Sequence, residues 1–333
     1  MDNQSPLPPD AAGGPRLHHD SFATRPVFVA PQRAERPADT HRAASGLDPR
    51  GWCPFCIGNE GRTPPDILRA PADTALPWRT RIVANAYPFV ASQAEAPAAN
   101  RAATRPAHGV HDVVIESASH ERSILALDAA DWRDVWLLCH RRLADLARRD
   151  DIAWATVFKN SGPRAGASLE HVHSQLVGLD FVPPAVAAEL AAARAAADPF
   201  ADLIAAARAA GRVVAELDGV VALVPPAPRQ PFETWILPAA ATPHFHAAPV
   251  GHVAAVAALT RWFVSRLDRL TPGGDYNWWL HQAPHACGAV PARWHWHLEI
   301  LPRLAQLAGF ELGTGCHVST LGPGDAARLL REP

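Results

Sequence analysis

Two histidines and a glutamine alternate with other residues in the segment His171–Gln175 (HVHSQ). Because side chains alternate across a β-strand, His171, His173 and Gln175 would share one face. The preceding segment, residues 160–168, is rich in glycine and serine, and such a loop can present backbone N–H groups to phosphate oxygens. A neutral imidazole beside it can attack phosphorus. The pattern favours a histidine nucleophile over the alternative, a pair of structural histidines.

Cys53 and Cys56 are separated by two residues in the motif CPFC. Two thiolates at this spacing supply half of a tetrahedral zinc site. Since no second pair of cysteines has this spacing, the other ligands must be histidine or carboxylate, and His120 and His171 are the best candidates. A redox pair is disfavoured because no thioredoxin-like βαβ pattern surrounds the motif. Two free cysteines in a turn remain the alternative.

A second strand-like segment, WHWHLE at residues 294–299, repeats the arrangement of two histidines separated by one residue. Alternation places His295, His297 and Glu299 on one face, and His281, in the strand-like run WWLH, can meet them. Histidines with a carboxylate suit zinc or iron. A buried polar cluster is the alternative interpretation.

Composition describes the protein that must position these groups. Of its 333 residues, 48% are hydrophobic, which is enough for one or two domains, and the net charge of −2 disfavours nucleic acid and anionic membranes as partners. Lys159 is the only lysine, which we interpret as composition bias. We see no run of membrane-spanning length and no secretory signal. One CxxC pair among five cysteines indicates a cytoplasmic protein without disulfides.

Hydrophobic patterns predict the elements. Helical spacing predicts helices at Asp128–Arg149, at Pro184–Ala210 with a break near Pro199, and at His252–Leu270. Residues 1–20 are expected to form a disordered tail, and residues 34–50 and 90–107 to form loops. Strands are expected at Pro26–Ala30, Arg81–Ala84, Asp112–Glu116, Ala155–Lys159, Val172–Val177, Val220–Val224, Thr234–Leu237, Asn277–Leu280 and His295–Leu301.

The chain contains an internal repeat. His120 lies 53 residues before His173, and His244 lies 53 residues before His297. In both cases the first histidine closes a strand pattern, and a long helix pattern and a strand with two histidines follow in order. This order predicts an α+β fold in which two duplicated units join into one long, mostly antiparallel sheet flanked by helices. The units are expected at residues 21–183 and 184–333.

Taken together, the sequence resembles the galactose-1-phosphate uridylyltransferase family of the histidine-triad superfamily. The resemblance implies a ping-pong nucleotidyltransferase that acts on a nucleotide sugar and a hexose 1-phosphate, with duplicated histidine-triad-like units. The matching segments follow the family's order from about residue 26 to the C-terminus and are APQRAERP, CPFCIGNE, RIVANAYPF, VVIESASH, FKNSGPRAGASLEHVHSQ, PFETWILP, WHWHLEILPRL and AGFELGTG.

The resemblance also implies roles for individual residues. His173 matches the nucleophile that accepts the nucleoside monophosphate, and Gln175 matches the residue that hydrogen-bonds the transferred phosphoryl group. Glu311 lies in a segment that reaches the hexose in the partner subunit's site, which implies a homodimer. The other matches to substrate-binding positions are Arg33, Arg36, Asn85, Asn160, Gly166 and Ser168.

Two metal centres are implied by the same resemblance. One holds a structural zinc ion, and its matching ligands are Cys53, Cys56, His120 and His171. The other holds iron or zinc, and its matching ligands are Glu189, His281, His295 and His297.

The chain departs from the family pattern at two places. Val172 replaces the proline of the usual His-Pro-His motif, which restores a backbone N–H and keeps both histidines in phase. The segment LAQLA before Gly309 lacks the basic and aromatic residues of some relatives, so the sugar and the acceptor stay open. Uridylyl transfer from UDP-glucose to galactose 1-phosphate is the leading expectation. The alternatives are phosphorolysis of ADP-glucose, a histidine-triad nucleotide hydrolase, and a zinc-bound nucleotide-binding protein without catalysis.

Overall fold

The computed structural model describes residues 14–19, 26–35, 52–92, 104–195, 197–285 and 293–332. The strands are β1 Arg16–His19, β2 Pro26–Val29, β3 Asp66–Ala70, β4 Thr80–Ala84, β5 Thr104–Pro106, β6 Gly109–Ile115, β7 Trp154–Ser161, β8 His173–Leu179, β9 Val213–Leu217, β10 Val220–Leu223, β11 Thr234–Pro238, β12 Tyr276–His281 and β13 His297–Pro302. The α-helices are α1 Ala129–Ala147, α2 Pro184–Ala195, α3 Pro199–Ala209, α4 Val250–Leu270, α5 Gly309–Thr314 and α6 Pro323–Arg331.

Ten strands form one antiparallel sheet in the order β3-β4-β6-β8-β7-β12-β13-β11-β10-β9. Outward from the centre, β12, β13, β11, β10 and β9 repeat the arrangement of β7, β8, β6, β4 and β3. Phe158 of β7 pairs with Trp279 of β12 at the centre. These two residues are equivalent, because Phe158 lies opposite Gln175 and Trp279 lies opposite Glu299. An approximate twofold axis therefore passes between β7 and β12, which confirms the predicted duplicated α+β fold.

The long helices α1 and α4 cover one face of this sheet. Helix α1 buries residues at helical spacing, among them Trp132, Trp136, Cys139 and Leu143. They share the largest hydrophobic core with Leu176 of β8 and Leu298 of β13. Because neighbouring strand residues point to opposite faces, Gln175 and Glu299 lie on the face away from these helices. No helix in the described ranges is long and apolar enough to cross a membrane.

The break predicted near Pro199 separates α2 from α3. Asp198 precedes α3, and its side chain accepts the backbone N–H of Ala201 at 3.2 Å. Pro199 occupies the first turn, where its missing N–H has no helical partner to lose. This helix pair begins the half predicted for residues 184–333.

Two predictions of irregular structure are wrong. Arg16–His19, predicted as part of a tail, form β1, which pairs with β2 and with β5. β5 lies in the segment predicted as a loop at residues 90–107. Leu17 is fully buried with Val90 and Val177, so β1 is held by packing against distant residues. Strands of three or four residues carry too little periodicity to be recognised. Residues 1–13, 20–25 and 36–51 lie outside the described residues.

Trp278 joins the two halves inside the core. It lies on β12, and its ring centroid is 5.9 Å from that of Trp132 and 6.2 Å from that of Trp136, both on α1. Trp278→Ala is expected to lower the free energy of unfolding by about 3–5 kcal/mol, because it leaves a large cavity. Urea denaturation followed by circular dichroism measures this. Leu76→Ala, at a half-exposed position, should change it little, and an equal loss in both variants would contradict the prediction.

Candidate active site and metal centres

The predicted nucleophile is held in one tautomer. His173 begins β8, and its Nδ1 lies 2.7 Å from the backbone carbonyl oxygen of His171. A carbonyl oxygen only accepts, so Nδ1 carries the proton and Nε2 keeps its lone pair. The ring is half-buried beside the Phe55 ring, at 5.3 Å between centroids. The nitrogen that is predicted to be the nucleophile therefore belongs to a ring that is oriented by its own strand.

His173 stands between two cavities. The larger has a volume of about 730 Å³ and extends to Arg122 and Asp275. The smaller has a volume of about 150 Å³ and extends to Asn85 and Gln175. The residues that line both include Asn160, Ser168 and His173. A substrate with two parts joined through phosphates can fill both cavities with its phosphates beside His173.

A buried ion pair lies behind His173. Lys159 Nζ, on β7, donates to Glu116 Oε2 at 2.6 Å and to the backbone carbonyl oxygen of His173 at 2.8 Å. The Ser174 hydroxyl donates to the other oxygen of Glu116 at 2.5 Å. Burial lowers the pKa of Lys159, and Glu116 opposes that change. The sequence analysis missed this pair, although a single lysine in an arginine-rich chain was a signal.

The loop between β7 and β8 begins with a turn that requires glycine. Gly162 has a φ of +85°, and a Cβ there would lie 1.9 Å from Asp275 Oδ1. Asp275 also accepts the N–H of Arg164 at 2.6 Å. Asn277, on β12, donates to Asn160 Oδ1 at 2.8 Å. Residues of the second half therefore hold the loop of the first half, which the sequence analysis did not foresee.

Four backbone N–H groups of the same loop are used inside the protein and are therefore not open to phosphate. The N–H groups of residues 164–167 donate to Asp275 or to carbonyl oxygens within the loop. They are used there because the chain turns through a short 3-10 helix, Pro163–Ala165. Asn160, Gly166 and Ser168 do line the smaller cavity. The amide of Asn160 and the hydroxyl of Ser168 are thus the side-chain donors that the loop offers.

Gln175 and Asn85 both contact His111, a residue that was given no role from the sequence. Gln175 Oε1 lies 2.9 Å from His111 Nε2, and Asn85 Nδ2 lies 3.0 Å from the same atom. Asn85 Oδ1 accepts the N–H of Tyr87 at 2.8 Å. The structure thus brings together Gln175 and Asn85 as predicted, beside His173. Only the pairing of β6 with β8 reveals the histidine between them.

The four residues predicted to bind zinc converge. Cys53 Sγ lies 3.5 Å from His171 Nδ1. Cys56 Sγ lies 3.4 Å from His120 Nδ1 and 3.6 Å from His171 Nδ1. In tetrahedral zinc sites, with bonds of about 2.3 Å to sulfur and about 2.0 Å to nitrogen, sulfur and nitrogen ligands lie about 3.5 Å apart. The spacing of these side chains therefore fits zinc.

Protonation states at this centre also suit a metal. The Nε2 of His171 lies 2.9 Å from the carbonyl oxygen of Ser117, so it carries the proton and Nδ1 faces the cysteines with its lone pair. Burial lowers the pKa of His171 to about 3 and raises the pKa of Cys53 to about 12. The imidazole is ready to bind, whereas Cys53 must release its proton, so zinc affinity should rise with pH.

The second cluster comprises Glu189, His281, His297 and Glu299. His281 Nδ1 lies 3.0 Å from Glu189 Oε1. His297 Nε2 lies 3.7 Å from Glu189 Oε2 and 3.6 Å from Glu299 Oε1. Ligand atoms around one ion have this spacing, and two imidazoles with two carboxylates suit zinc or iron.

His295, the further ligand predicted from the sequence, is not among the four residues whose ligand atoms converge in the structure. Its Nδ1 lies 2.8 Å from the carbonyl oxygen of Pro238, and its ring stacks on Phe200. Glu299 takes the place that was predicted for His295. Both residues share a strand face with His297, and alternation alone does not tell which of them reaches the other ligands.

The cluster favours a positive charge. Burial disfavours the protonated form of His297, but hydrogen bonds with Glu189 and Glu299 outweigh burial and raise its pKa to about 10. Burial also opposes ionisation of Glu189, yet its contacts with His281 and His297 lower its pKa to about 2. A metal ion can supply this charge in place of the proton.

The second cluster occupies the position that corresponds to the first site. The strand order aligns β13 with β8 and β12 with β7. The registers then match His297 with His173, Glu299 with Gln175 and His281 with Asn160. The position of the predicted nucleophile in one half is therefore occupied by a candidate metal ligand in the other half.

Of the three remaining predicted residues, the structure describes two. Arg33 donates to the carbonyl oxygen of Tyr87 at 2.7 Å, next to the smaller cavity. Arg36 lies outside the described residues. Glu311 lies in α5, accepts the N–H of Ala308 at 3.0 Å, and lines neither cavity.

Comparisons with known proteins give a consistent result. A family model described as a domain of unknown function, DUF4921, matches residues 79–331. A curated relative from Arabidopsis thaliana, an ADP-glucose phosphorylase, is 32% identical over 96% of this chain and 93% of its own length. A galactose-1-phosphate uridylyltransferase from Thermotoga maritima is 25% identical over 67% of this chain and 74% of its own length. A crystal structure of an Arabidopsis thaliana ADP-glucose phosphorylase with bound ADP-glucose has a TM-score of 0.77 at 30% identity, covering 96% of this chain and 99% of that chain.

Cys53→Ser is expected to lower the zinc content by one ion per chain, because a hydroxyl is a poor zinc ligand. The melting temperature should fall as well, since zinc binding contributes to folding. Elemental analysis and thermal melting measure both effects. Cys316→Ser removes an exposed cysteine and should change neither. A wild-type protein that holds no zinc, and melts identically with and without chelator, would exclude this role.

Glu299→Gln is expected to remove the metal from the second cluster, because an amide is a weaker ligand than a carboxylate. His295→Gln should leave that metal bound. Iron and zinc per chain are measured for both variants by elemental analysis. Loss of metal from His295→Gln alone would show that the ligand assignment is reversed.

Proposed function

Because the chain belongs to the galactose-1-phosphate uridylyltransferase family of the histidine-triad superfamily, we propose that it transfers a nucleoside monophosphate from a nucleotide sugar through an adduct on His173. The main support is the Nε2 lone pair of His173 at the junction of two cavities. One cavity can take the nucleoside and the other the sugar, with the bridging phosphates between them.

We propose ADP-glucose as the donor and inorganic phosphate as the acceptor. In support, the ADP-glucose phosphorylase relative is 32% identical to this chain, whereas the uridylyltransferase from Thermotoga maritima is 25% identical. Uridylyl transfer from UDP-glucose to galactose 1-phosphate, the leading expectation from the sequence, is the second candidate. The similarity to that uridylyltransferase supports it.

In the first step, His173 Nε2 attacks the α-phosphorus of the nucleotide sugar. A nitrogen–phosphorus bond forms, the phosphorus–oxygen bond to glucose 1-phosphate breaks, and the leaving phosphate keeps the electron pair. The proton stays on Nδ1 and remains hydrogen-bonded to the carbonyl oxygen of His171, which stabilises the positive charge of the ring. Gln175, Asn160 and Ser168 are in place to donate to the non-bridging oxygens, where charge develops.

In the second step, an oxygen of inorganic phosphate attacks the same phosphorus. The nitrogen–phosphorus bond breaks, ADP leaves, and His173 regains its neutral ring. Two displacements let one cavity hold glucose 1-phosphate and then phosphate. Zinc held by Cys53, Cys56, His120 and His171 would fix the strand two residues from the nucleophile, and four protein ligands leave no open position for chemistry.

We also propose that the protein acts as a homodimer. Phe310 and Leu312 of α5 are 56% and 72% exposed. Two large apolar side chains on one short helix favour burial against a second protein surface. In a dimer, Glu311 between them would lie near the sugar in the partner subunit's larger cavity, as the resemblance implies.

Mixing the protein with ADP-glucose alone is expected to give a covalent adduct of one adenylyl group and an equivalent amount of glucose 1-phosphate. Added phosphate should discharge the adduct and release ADP. Mass spectrometry of the intact protein measures the adduct, and chromatography measures the products.

His173→Gly should form no adduct, and His317→Gln, at an exposed histidine, should react as the wild type does. An adduct from UDP-glucose alone, discharged by galactose 1-phosphate, would favour the second candidate. Release of free nucleoside monophosphate without an acceptor would indicate a hydrolase. An adduct on His173→Gly, or none with either donor, would contradict the proposal.

A further inference from the structure

A buried histidine contacts the residue expected to bind the transferred phosphoryl group. His111 lies on β6, is 4% exposed, and packs against the Phe89 ring at 4.4 Å between centroids. Its Nε2 is 2.9 Å from Gln175 Oε1. On the basis of the proposed function, we infer that His111 is a positioning residue that sets the direction of the Gln175 side-chain amide.

The tautomer of His111 follows from its neighbours. The backbone N–H of Phe89 donates to His111 Nδ1 at 3.4 Å. A backbone N–H only donates, so Nδ1 is the acceptor and Nε2 carries the proton. Nε2 then donates to Gln175 Oε1. Asn85 Nδ2 lies 3.0 Å from the same Nε2 and is also a donor, because the N–H of Tyr87 donates to Asn85 Oδ1 and sets the direction of that amide. This contact is therefore not a hydrogen bond when Nε2 carries the proton. A proton on Nδ1 would make it one but would lose the hydrogen bonds with both Gln175 and Phe89, so the form with the proton on Nε2 satisfies more partners.

This direction decides what Gln175 offers to a substrate. With Oε1 held by His111, the –NH₂ group of Gln175 turns away from His111 and can donate in the smaller cavity. A phosphoryl oxygen only accepts, so the reverse orientation would place a carbonyl oxygen against a negatively charged oxygen. Charge on the non-bridging oxygens is stabilised best by donors that are already aimed when the reaction begins.

The second half of the chain supports this coupling by contrast. The registers that match Glu299 with Gln175 also match Glu233 with His111. There, Arg229 donates to both Glu233 and Glu299. In the second half, a carboxylate replaces the Gln175 amide, a second carboxylate replaces the His111 imidazole, and the arginine joins these two carboxylates. An imidazole donor therefore accompanies the amide, in the half that holds the nucleophile.

The test follows release of glucose 1-phosphate in single turnover, with the donor that the wild type uses. His111→Phe should lower the rate constant about tenfold or more and change the half-saturating donor concentration less than about threefold, because the contact acts mainly in the transition state. His111→Gln can place an amide donor near the former Nε2 and should recover most of the rate. His111→Asn reaches only as far as Nδ1 and should stay slow.

A double-mutant cycle separates positioning from general damage. If His111 acts through Gln175, then His111→Phe should cost less than about twofold in a Gln175→Ala background. His108→Gln, at a buried histidine that pairs with Asp151, is the control and should react like the wild type. If His111→Phe does not fold, the ratio of the rate constants of His111→Gln and His111→Asn tests the inference instead.

Three results would overturn the inference. His111→Gln and His111→Asn could react at equal rates, or His111→Phe could react within twofold of the wild type. In the double variant, the rate losses of the two single variants could multiply in full, which would show that the residues act independently. A wild type that releases no glucose 1-phosphate from either donor would instead contradict the proposed function, and the inference would fall with it.

Discussion

The buried contact between Lys159 and Glu116 is the constraint on which the geometry of the site depends. It joins the end of β6 to β7, and through the carbonyl oxygen of His173 and the hydroxyl of Ser174 it also fixes the start of β8. A buried ion pair adds little net stability, because desolvation offsets the attraction. Here the ion pair matters because it sets the directions of several hydrogen bonds. An ammonium group donates along several directions from one compact point, which a planar guanidinium does not do.

The second half of the chain completes the first. Asp275 and Asn277, at the start of β12, hold the loop that follows β7. The two halves have also diverged at equivalent positions. His173 has a half-buried ring between two cavities, whereas its counterpart His297 is fully buried between carboxylates. One copy of the unit thus presents an imidazole to two cavities, and the other copy buries its imidazole between carboxylates.

Much of this was accessible from the sequence, since alternation in HVHSQ places His173 and Gln175 on one face and the CxxC motif marks a candidate metal site. The features that could not be predicted from the sequence depend on contacts between distant segments. The contact of His111 with Gln175 becomes visible only from the pairing of β6 with β8. Similarly, β1 forms because it pairs with β2 and β5. His295 and Glu299 share a face, so only packing shows which of them meets Glu189. The loop donors at residues 164–167 are used by Asp275 and by the turn, which composition does not reveal.

The junction of β7 with β12 has a consequence for how such a chain can arise. Each half alone would end its sheet in a bare strand edge, with unpaired N–H and C=O groups open to any other extended chain. Such edges are templates for aggregation. Placing both copies on one polypeptide puts each edge next to the only partner that closes it, at a high effective concentration from the moment of synthesis. Joining both units in one polypeptide therefore pairs these two strand edges and places Asp275 and Asn277 where they hold the loop after β7.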